Sequence, residues 1–371
     1  MLRRGSPAEG NRALRKSEGL PDFPWDLLEP AKAKAAAHPG GLIDLSIGTP
    51  VDSVPELIQR ALAQTTNTPG YPLTMGSVAL REAMRAWVES HCDAPGAGVL
   101  PSIGSKELVA WLPTLLGVGP GDTVVIPEIG YPTYEVGVRL AGATPVRSDS
   151  LTALGPQPVK LIWVNSPSNP TGRVLPPAHL RKVVDWARER GTVVASDECY
   201  LTLPWTETPV SILSVCDGDY TGVLALHSLS KRSNLAGYRA GFVAGDPALV
   251  GELLAVRKHA GMIMPAPVQA AMVAALGDES HVDEQRARYA ARREILFGAL
   301  EKAGFTVDHS EAGLYLWATR GKDCWEEADW FASHGILVSA GSFYGPSGQR
   351  HVRVALTVTT EQASEAADRL A

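Results

Sequence analysis

The middle of this chain predicts an α/β fold on a mostly parallel sheet, and its C-terminal part predicts a smaller α+β domain. Between about residues 100 and 250, apolar runs at 123–127, 160–164, 192–196 and 223–226 read as strands separated by helix-like segments. Val223-Leu-Ala-Leu226 has no polar alternation, which marks a strand covered on both faces. Strand–helix alternation of this kind gives parallel strands with helices on both sides. The end of the chain changes character: residues 284–303 read as one long helix, and alternating strands follow, including His351-Val-Arg-Val-Ala-Leu356.

Taken in order, residues 1–20 are polar and basic and are expected to form a disordered tail. Pro21-Asp-Phe-Pro-Trp25 brings apolar anchors expected to pack on the body. A large domain is expected over 46–283, with 21–45 and 284–371 forming the small one. The helix at 177–190 places Leu180, Val183, Val184 and Ala187 on one face and charges on the other.

Composition narrows the function. With 45% hydrophobic and 20% charged residues, the 371-residue chain reads as an ordinary globular enzyme. A net charge of -6 without a basic block argues against nucleic acid or an anionic membrane as the main partner. The four cysteines form no CxxC pair, so reduced thiols in the cytoplasm are expected, with no metal site. No apolar run reaches the roughly 18 residues of a membrane span, and the N-terminus has no secretory signal pattern.

In an open parallel sheet, ligands sit beyond the carboxyl ends of the strands. The most informative such end is Ser228-Leu-Ser-Lys231, with Gly237, Arg239 and Gly241 just beyond it. An amine delivered there can form a Schiff base with a carbonyl. Hydroxyls at Ser228 and Ser230 and the guanidinium of Arg239 suit a phosphate. Asp197, ending another strand, suits a protonated pyridine nitrogen, and Tyr200 is within reach of a ring oxygen. Asn169, in Ser-Asn-Pro-Thr-Gly172, is either a turn former or a donor to the same oxygen. Gly104-Ser105-Lys106 opens an apolar helical run whose first amides suit an anion. Tyr131 is a candidate for stacking on a ring, or else a packed aromatic. Arg353, on the face of its strand opposite Val352 and Val354, is either solvent-exposed or a bidentate clamp for a carboxylate.

These motifs together resemble the class I/II pyridoxal-phosphate aminotransferases of fold type I, the aspartate-aminotransferase-like group. The matching stretches are Gly48-Thr-Pro50, Tyr71-Pro-Leu-Thr-Met-Gly76, Gly104-Ser-Lys-Glu107, Gly130-Tyr-Pro-Thr-Tyr134, Asn165 to Gly172, Asp197-Glu-Cys-Tyr200, Ser228 to Arg239, and Arg353. The resemblance runs from about residue 22 to the end. It implies pyridoxal 5'-phosphate as cofactor and Lys231 as the lysine that carries it and moves the proton. It further implies that Asp197 holds the ring nitrogen, Asn169 and Tyr200 the ring oxygen, and Tyr131 a ring face. Ser105, Lys106, Ser228, Ser230 and Arg239 would hold the phosphate. Tyr71 would reach the phosphate of a neighbouring subunit, so a homodimer with shared sites is implied. Arg353 would clamp the substrate α-carboxylate, with Gly48 lining that pocket.

A finer resemblance is to the actinobacterial N-succinyldiaminopimelate aminotransferases, through Leu20-Pro-Asp-Phe-Pro-Trp-Asp26, 41–52, Pro69-Gly-Tyr-Pro72 and 107–116. It implies exchange of an amino group between glutamate and N-succinyl-2-amino-6-oxopimelate, within lysine and diaminopimelate biosynthesis. Transamination of another, aspartate-like amino acid and β-elimination by a carbon–sulfur lyase use the same residues and stay open. A non-catalytic binding module on this fold is disfavoured, because no catalytic position is lost. Lys106, Arg257 and Ser342-Phe-Tyr344 are candidates for the distal end of the substrate.

Overall fold

The computed structural model describes residues 19–371. The expected tail therefore falls almost wholly outside the described residues.

A short strand β1 (Ile43–Asp44) precedes the helices Glu56–Ala63 and Val78–Cys92. The large sheet is then built from β2 (Gly98–Ile103), β3 (Thr123–Ile126), β4 (Thr144–Arg147), β5 (Leu161–Asn165), β6 (Val193–Asp197), β7 (Val223–Ser228) and β8 (Ala240–Gly245). Its order is β2-β8-β7-β6-β5-β3-β4, and only β8 runs against the others.

The apolar runs explain why this sheet is covered twice. On β5, Ile162 and Val164 enter one core cluster while Leu161 and Trp163 enter the other. On β7, Val223 and Ala225 face the first and Leu224 and Leu226 the second. Each such buried side chain contributes about 1.5–3 kcal/mol by leaving water. Helix Pro177–Arg190 packs Leu180, Val183, Val184 and Ala187 into the first cluster and ends at Gly191, whose φ of +64° closes the turn.

The C-terminal part forms a second layer. Helix Ser280–Lys302 starts four residues before the expected position, and helix Thr360–Leu370 packs along it. Strands β9 (Thr306–Asp308), β10 (Tyr315–Thr319), β11 (Ile336–Leu337), β12 (Ser339–Ala340) and β13 (Val352–Ala355) follow, with helix Cys324–Ser333 between β10 and β11. The antiparallel order is β12-β13-β10-β9, and β1 pairs with β11 in parallel. Every residue of β13 is buried, so Arg353 is not the solvent-exposed arginine that its alternating pattern also allowed.

The carboxyl ends of β2, β5, β6 and β7 lie along one edge of the large sheet. The reversed strand β8 begins at that same edge, because Ala240 pairs with Ile103 at the end of β2. Arg239, immediately before β8, is thereby brought beside the other strand ends. It sits at φ +56°, a left-handed conformation that non-glycine residues seldom adopt.

Candidate active site

A cavity of about 540 Å³ opens at this edge, lined by side chains from both layers. Gly48, Ser105, Lys106, Tyr131, Asn169, Asp197, Tyr200, Ser228, Ser230, Lys231, Arg239 and Arg353 all line it. Gly104 lies just behind, at φ +78°, where an added Cβ would meet the guanidinium of Arg239.

Lys231 leaves a single-turn helix (Leu229–Arg232) directly after β7, and its amine donates to the carbonyl of Gly48. Burial lowers its pKa, and Arg353 and Arg239 push the same way, against the opposing pull of Tyr315 and Cys199. A lysine so placed reaches its neutral, nucleophilic form more readily than a surface lysine.

Asp197 is buried at the end of β6. Tyr134 Oη donates to its Oδ2 at 2.8 Å, and the Cys199 amide donates to Oδ1 at 3.2 Å. Burial pushes its pKa up, while hydrogen bonds from Cys199 and Tyr134 pull it down. Among the described residues, no lysine, arginine or histidine forms an ion pair with this carboxylate. The strand end is braced from beside it: Asn165 Nδ2 donates to the Asp197 carbonyl at 2.9 Å, and Asn165 Oδ1 accepts from the Asn169 amide at 2.7 Å.

Arg353 is almost wholly buried. It donates to Asn169 Oδ1 at 3.0 Å and to the Ser46 carbonyl at 2.6 Å, and its guanidinium lies 3.9 Å over the ring of Tyr315. Its Nε has no acceptor among the described residues. At the opposite corner, Ser228 Oγ accepts from the Ser230 amide at 3.2 Å. Arg239 has only the Ala236 carbonyl, at 2.9 Å, and no carboxylate partner among the described residues. Helix Ser105–Leu115 points its start at the same corner and has no side-chain cap.

Sequence reasoning missed several of these residues. Tyr134 lies inside a quoted motif, yet only the fold shows that its hydroxyl meets Asp197. Tyr315, from β10, and Cys199 also line the cavity, as do Phe23 and Trp25 from the N-terminal segment. Lys106 Nζ sits 5.4 Å over Phe23 and 6.0 Å over Trp25. Two distal-pocket candidates are corrected. Arg257 is fully buried and pairs in bidentate fashion with Glu107 at 3.0 and 3.1 Å, so it is committed away from the cavity. Ser342, Phe343 and Tyr344 do not line the cavity either; Tyr344 is buried behind Arg353, at 5.0 Å, and Phe343 faces a separate groove. Tyr71 is 99% exposed and lies outside the cavity of its own chain.

A family model for class I and II aminotransferases matches residues 41–370. The chain belongs to that family. It is 61% identical over 370 residues to a probable aminotransferase of Mycobacterium tuberculosis, covering 98% of this chain and 88% of that one. It is 57% identical over 356 residues to the 4-dedimethylamino-4-oxo-anhydrotetracycline transaminase OxyQ of Streptomyces rimosus, covering 95% and 99%. Among solved structures, a probable N-succinyldiaminopimelate aminotransferase from Thermus thermophilus superposes with a TM-score of 0.83 at 30% identity, covering 94% and 99%.

Class I and II aminotransferases use pyridoxal 5'-phosphate, and the unpartnered groups of this aminotransferase fit it. Asp197 lacks a cation, which a protonated pyridine nitrogen supplies. Arg239, the two serines and the uncapped helix lack an anion, which a phosphate supplies. Lys231 brings its amine, held by the Gly48 carbonyl, to the same cavity, where an aldehyde can meet it. Among the described residues, no helix is long and apolar enough to cross a membrane.

Proposed function

We propose that this aminotransferase uses glutamate as amino donor and N-succinyl-2-amino-6-oxopimelate as acceptor, both substrates using the one cavity in turn. The observation that carries amino transfer at this site is that Lys231, Asp197 and Arg353 open on the same cavity from three different segments. When bound, pyridoxal 5'-phosphate supplies an aldehyde for amine capture and a ring that accepts electrons from the substrate carbon.

The chain's own residues do the rest. Asp197 would pair with a protonated ring nitrogen, the hydrogen bonds from Tyr134 and Cys199 favouring its charged form against the burial that raises its pKa. Asn169 and Tyr200 would hold the ring oxygen, and Tyr131 would cover a ring face. Ser105, the Lys106 amide, Ser228, Ser230 and Arg239 anchor the phosphate. Arg353 orients the substrate by its α-carboxylate, so that the α-hydrogen is presented to the amine of Lys231, which takes that proton and returns it on the other side of the transfer. Tyr71 reaches the phosphate of the adjoining subunit in a homodimer; its full exposure supports a role outside its own chain.

Support for this acceptor comes from the matched stretches around 20–26, 41–52, 69–72 and 107–116, and from the likeness to the probable N-succinyldiaminopimelate aminotransferase of Thermus thermophilus. Lys106, at the cavity wall, is the cation nearest to hand for a distal carboxylate. Amination of a large ring ketone is the second reading. It is favoured by the Streptomyces rimosus relative and by the aromatic wall of Phe23 and Trp25. The test is kcat/KM with glutamate and a panel of acceptors: succinyl-amino-oxopimelate, oxaloacetate, and a polycyclic ketone. Preference for the first by tenfold or more supports the proposal, and preference for either of the others replaces it.

A further inference from the structure

The hydroxyls of Tyr200 and Tyr315 lie 3.2 Å apart, with the two rings nearly perpendicular at 77°. Both side chains line the cavity. A contact between two phenols carries one proton, so one is the donor and the other the acceptor. The proposed function decides which. If Tyr200 gives its only proton to the cofactor's ring oxygen, its own oxygen is free only to accept.

Positive charge lies on the Tyr315 side of the pair. Arg353 lies 3.9 Å over the Tyr315 ring. Burial raises the Tyr315 pKa, while Arg353, Lys231 and the hydrogen bond with Tyr200 together bring it below that of an ordinary phenol. Burial holds Tyr200 well above that range, and so it does Tyr131, Tyr134, Tyr289 and Tyr344. Gly48 keeps this seat open, because a Cβ there would collide with the Tyr315 hydroxyl.

We infer that Tyr315 is a positioning residue for transamination. It donates to the Tyr200 hydroxyl and so strengthens the bond that Tyr200 gives to the cofactor's ring oxygen. Donors in series polarise one another, and the chain of two lowers the proton affinity of that oxygen more than Tyr200 does alone. The inference rests on the cofactor reading above and adds a residue that acts through another.

The test is a pH titration of the visible absorbance of the holoenzyme, with no turnover involved. Tyr315→Phe is expected to raise the midpoint by about half to one unit, a three- to tenfold gain in proton affinity. Tyr200→Phe raises it further, and Tyr200→Phe/Tyr315→Phe titrates like Tyr200→Phe alone, as required of a residue that works only through Tyr200. Gly48→Ala displaces the phenol while keeping the carbonyl that meets Lys231, and it shifts the midpoint in the same direction even where Tyr315→Phe folds poorly. An unshifted midpoint in Tyr315→Phe and Gly48→Ala overturns the inference, and so does a Tyr315→Phe shift of equal size with and without Tyr200. A wild-type protein without Lys231-dependent absorbance overturns the cofactor reading itself and this inference with it, a result distinct from an unshifted titration.

Discussion

The phenol of Tyr134 donates a 2.8 Å hydrogen bond to the carboxylate of Asp197, which is buried and has no cation beside it among the described residues. A bond to a charged acceptor contributes about 1.5–3 kcal/mol. Tyr134→Phe removes it and leaves Asp197 easier to protonate, so its hold on a pyridine nitrogen weakens. The expected outcome is about tenfold weaker binding of pyridoxal 5'-phosphate, read by equilibrium titration of apoprotein, with the fold intact by circular dichroism.

Lys231→Ala is expected to abolish both turnover and the visible absorbance of the holoenzyme. The remaining groups, Asp197, Arg239 and the serines, still hold the cofactor non-covalently. A spectrophotometric scan with and without the variant, followed by dialysis, separates loss of attachment from loss of binding.

Arg353→Lys keeps one positive charge but loses the planar fork that binds a carboxylate in two places. KM for both amino and keto acids is expected to rise tenfold or more, on the order of the 2 kcal/mol given up when a charged pair is spoiled. Cofactor affinity should change less than KM, because Arg353 lies apart from the phosphate corner and reaches the cofactor side only through Asn169. Initial-rate kinetics against a cofactor titration checks the split.

Glu198 follows Asp197 but faces away from the cavity, where Ser196 Oγ and the Ile212 amide donate to its Oε1 at 2.9 and 2.7 Å. Its other oxygen has no hydrogen-bond partner and lies 3.9 Å from His227 Nε2, and burial pushes its pKa up to about 7. A carboxyl whose folded pKa is raised adds stability in full below its unfolded value of about 4.3, and loses it as pH rises through 7. His227, depressed to about 3 by burial, works in the opposite sense as pH falls below about 6.5. Glu198→Gln keeps the two accepted bonds and removes the charge. The variant loses the first effect and keeps the second, so its melting temperature relative to the wild type should rise at pH 8 more than at pH 5.

Much of the site was legible because parallel strands announce their own ends. Lys231, Asp197 and Asn169 each follow an apolar run, and fold geometry then puts such residues on one edge. Tyr315 was not legible: it meets Tyr200 across 115 residues, and the alternation of β10 says which residues share a face but not what they touch. Arg257 was misread for the same reason, since Glu107, its partner, lies 150 positions away. The reversed direction of β8 leaves no mark in hydrophobic periodicity, yet it is what brings Arg239 to the phosphate corner. Arg353 shows the limit of pattern in the other direction. Its strand alternates like a half-exposed one, but the apolar core of the C-terminal layer takes Val352 and Val354 while Asn169, Tyr315 and Tyr344 cover Arg353.

The central claim is that this site transfers an amino group by way of Lys231, and a half-reaction tests it most directly. Glutamate is added to holoenzyme with no acceptor present, and 2-oxoglutarate is measured against the cofactor content. Amino transfer predicts one 2-oxoglutarate per site, loss of the visible absorbance, and neither change in Lys231→Ala. No 2-oxoglutarate from glutamate, together with release of pyruvate and ammonia from a cysteine thioether, would contradict amino transfer and assign the site to β-elimination.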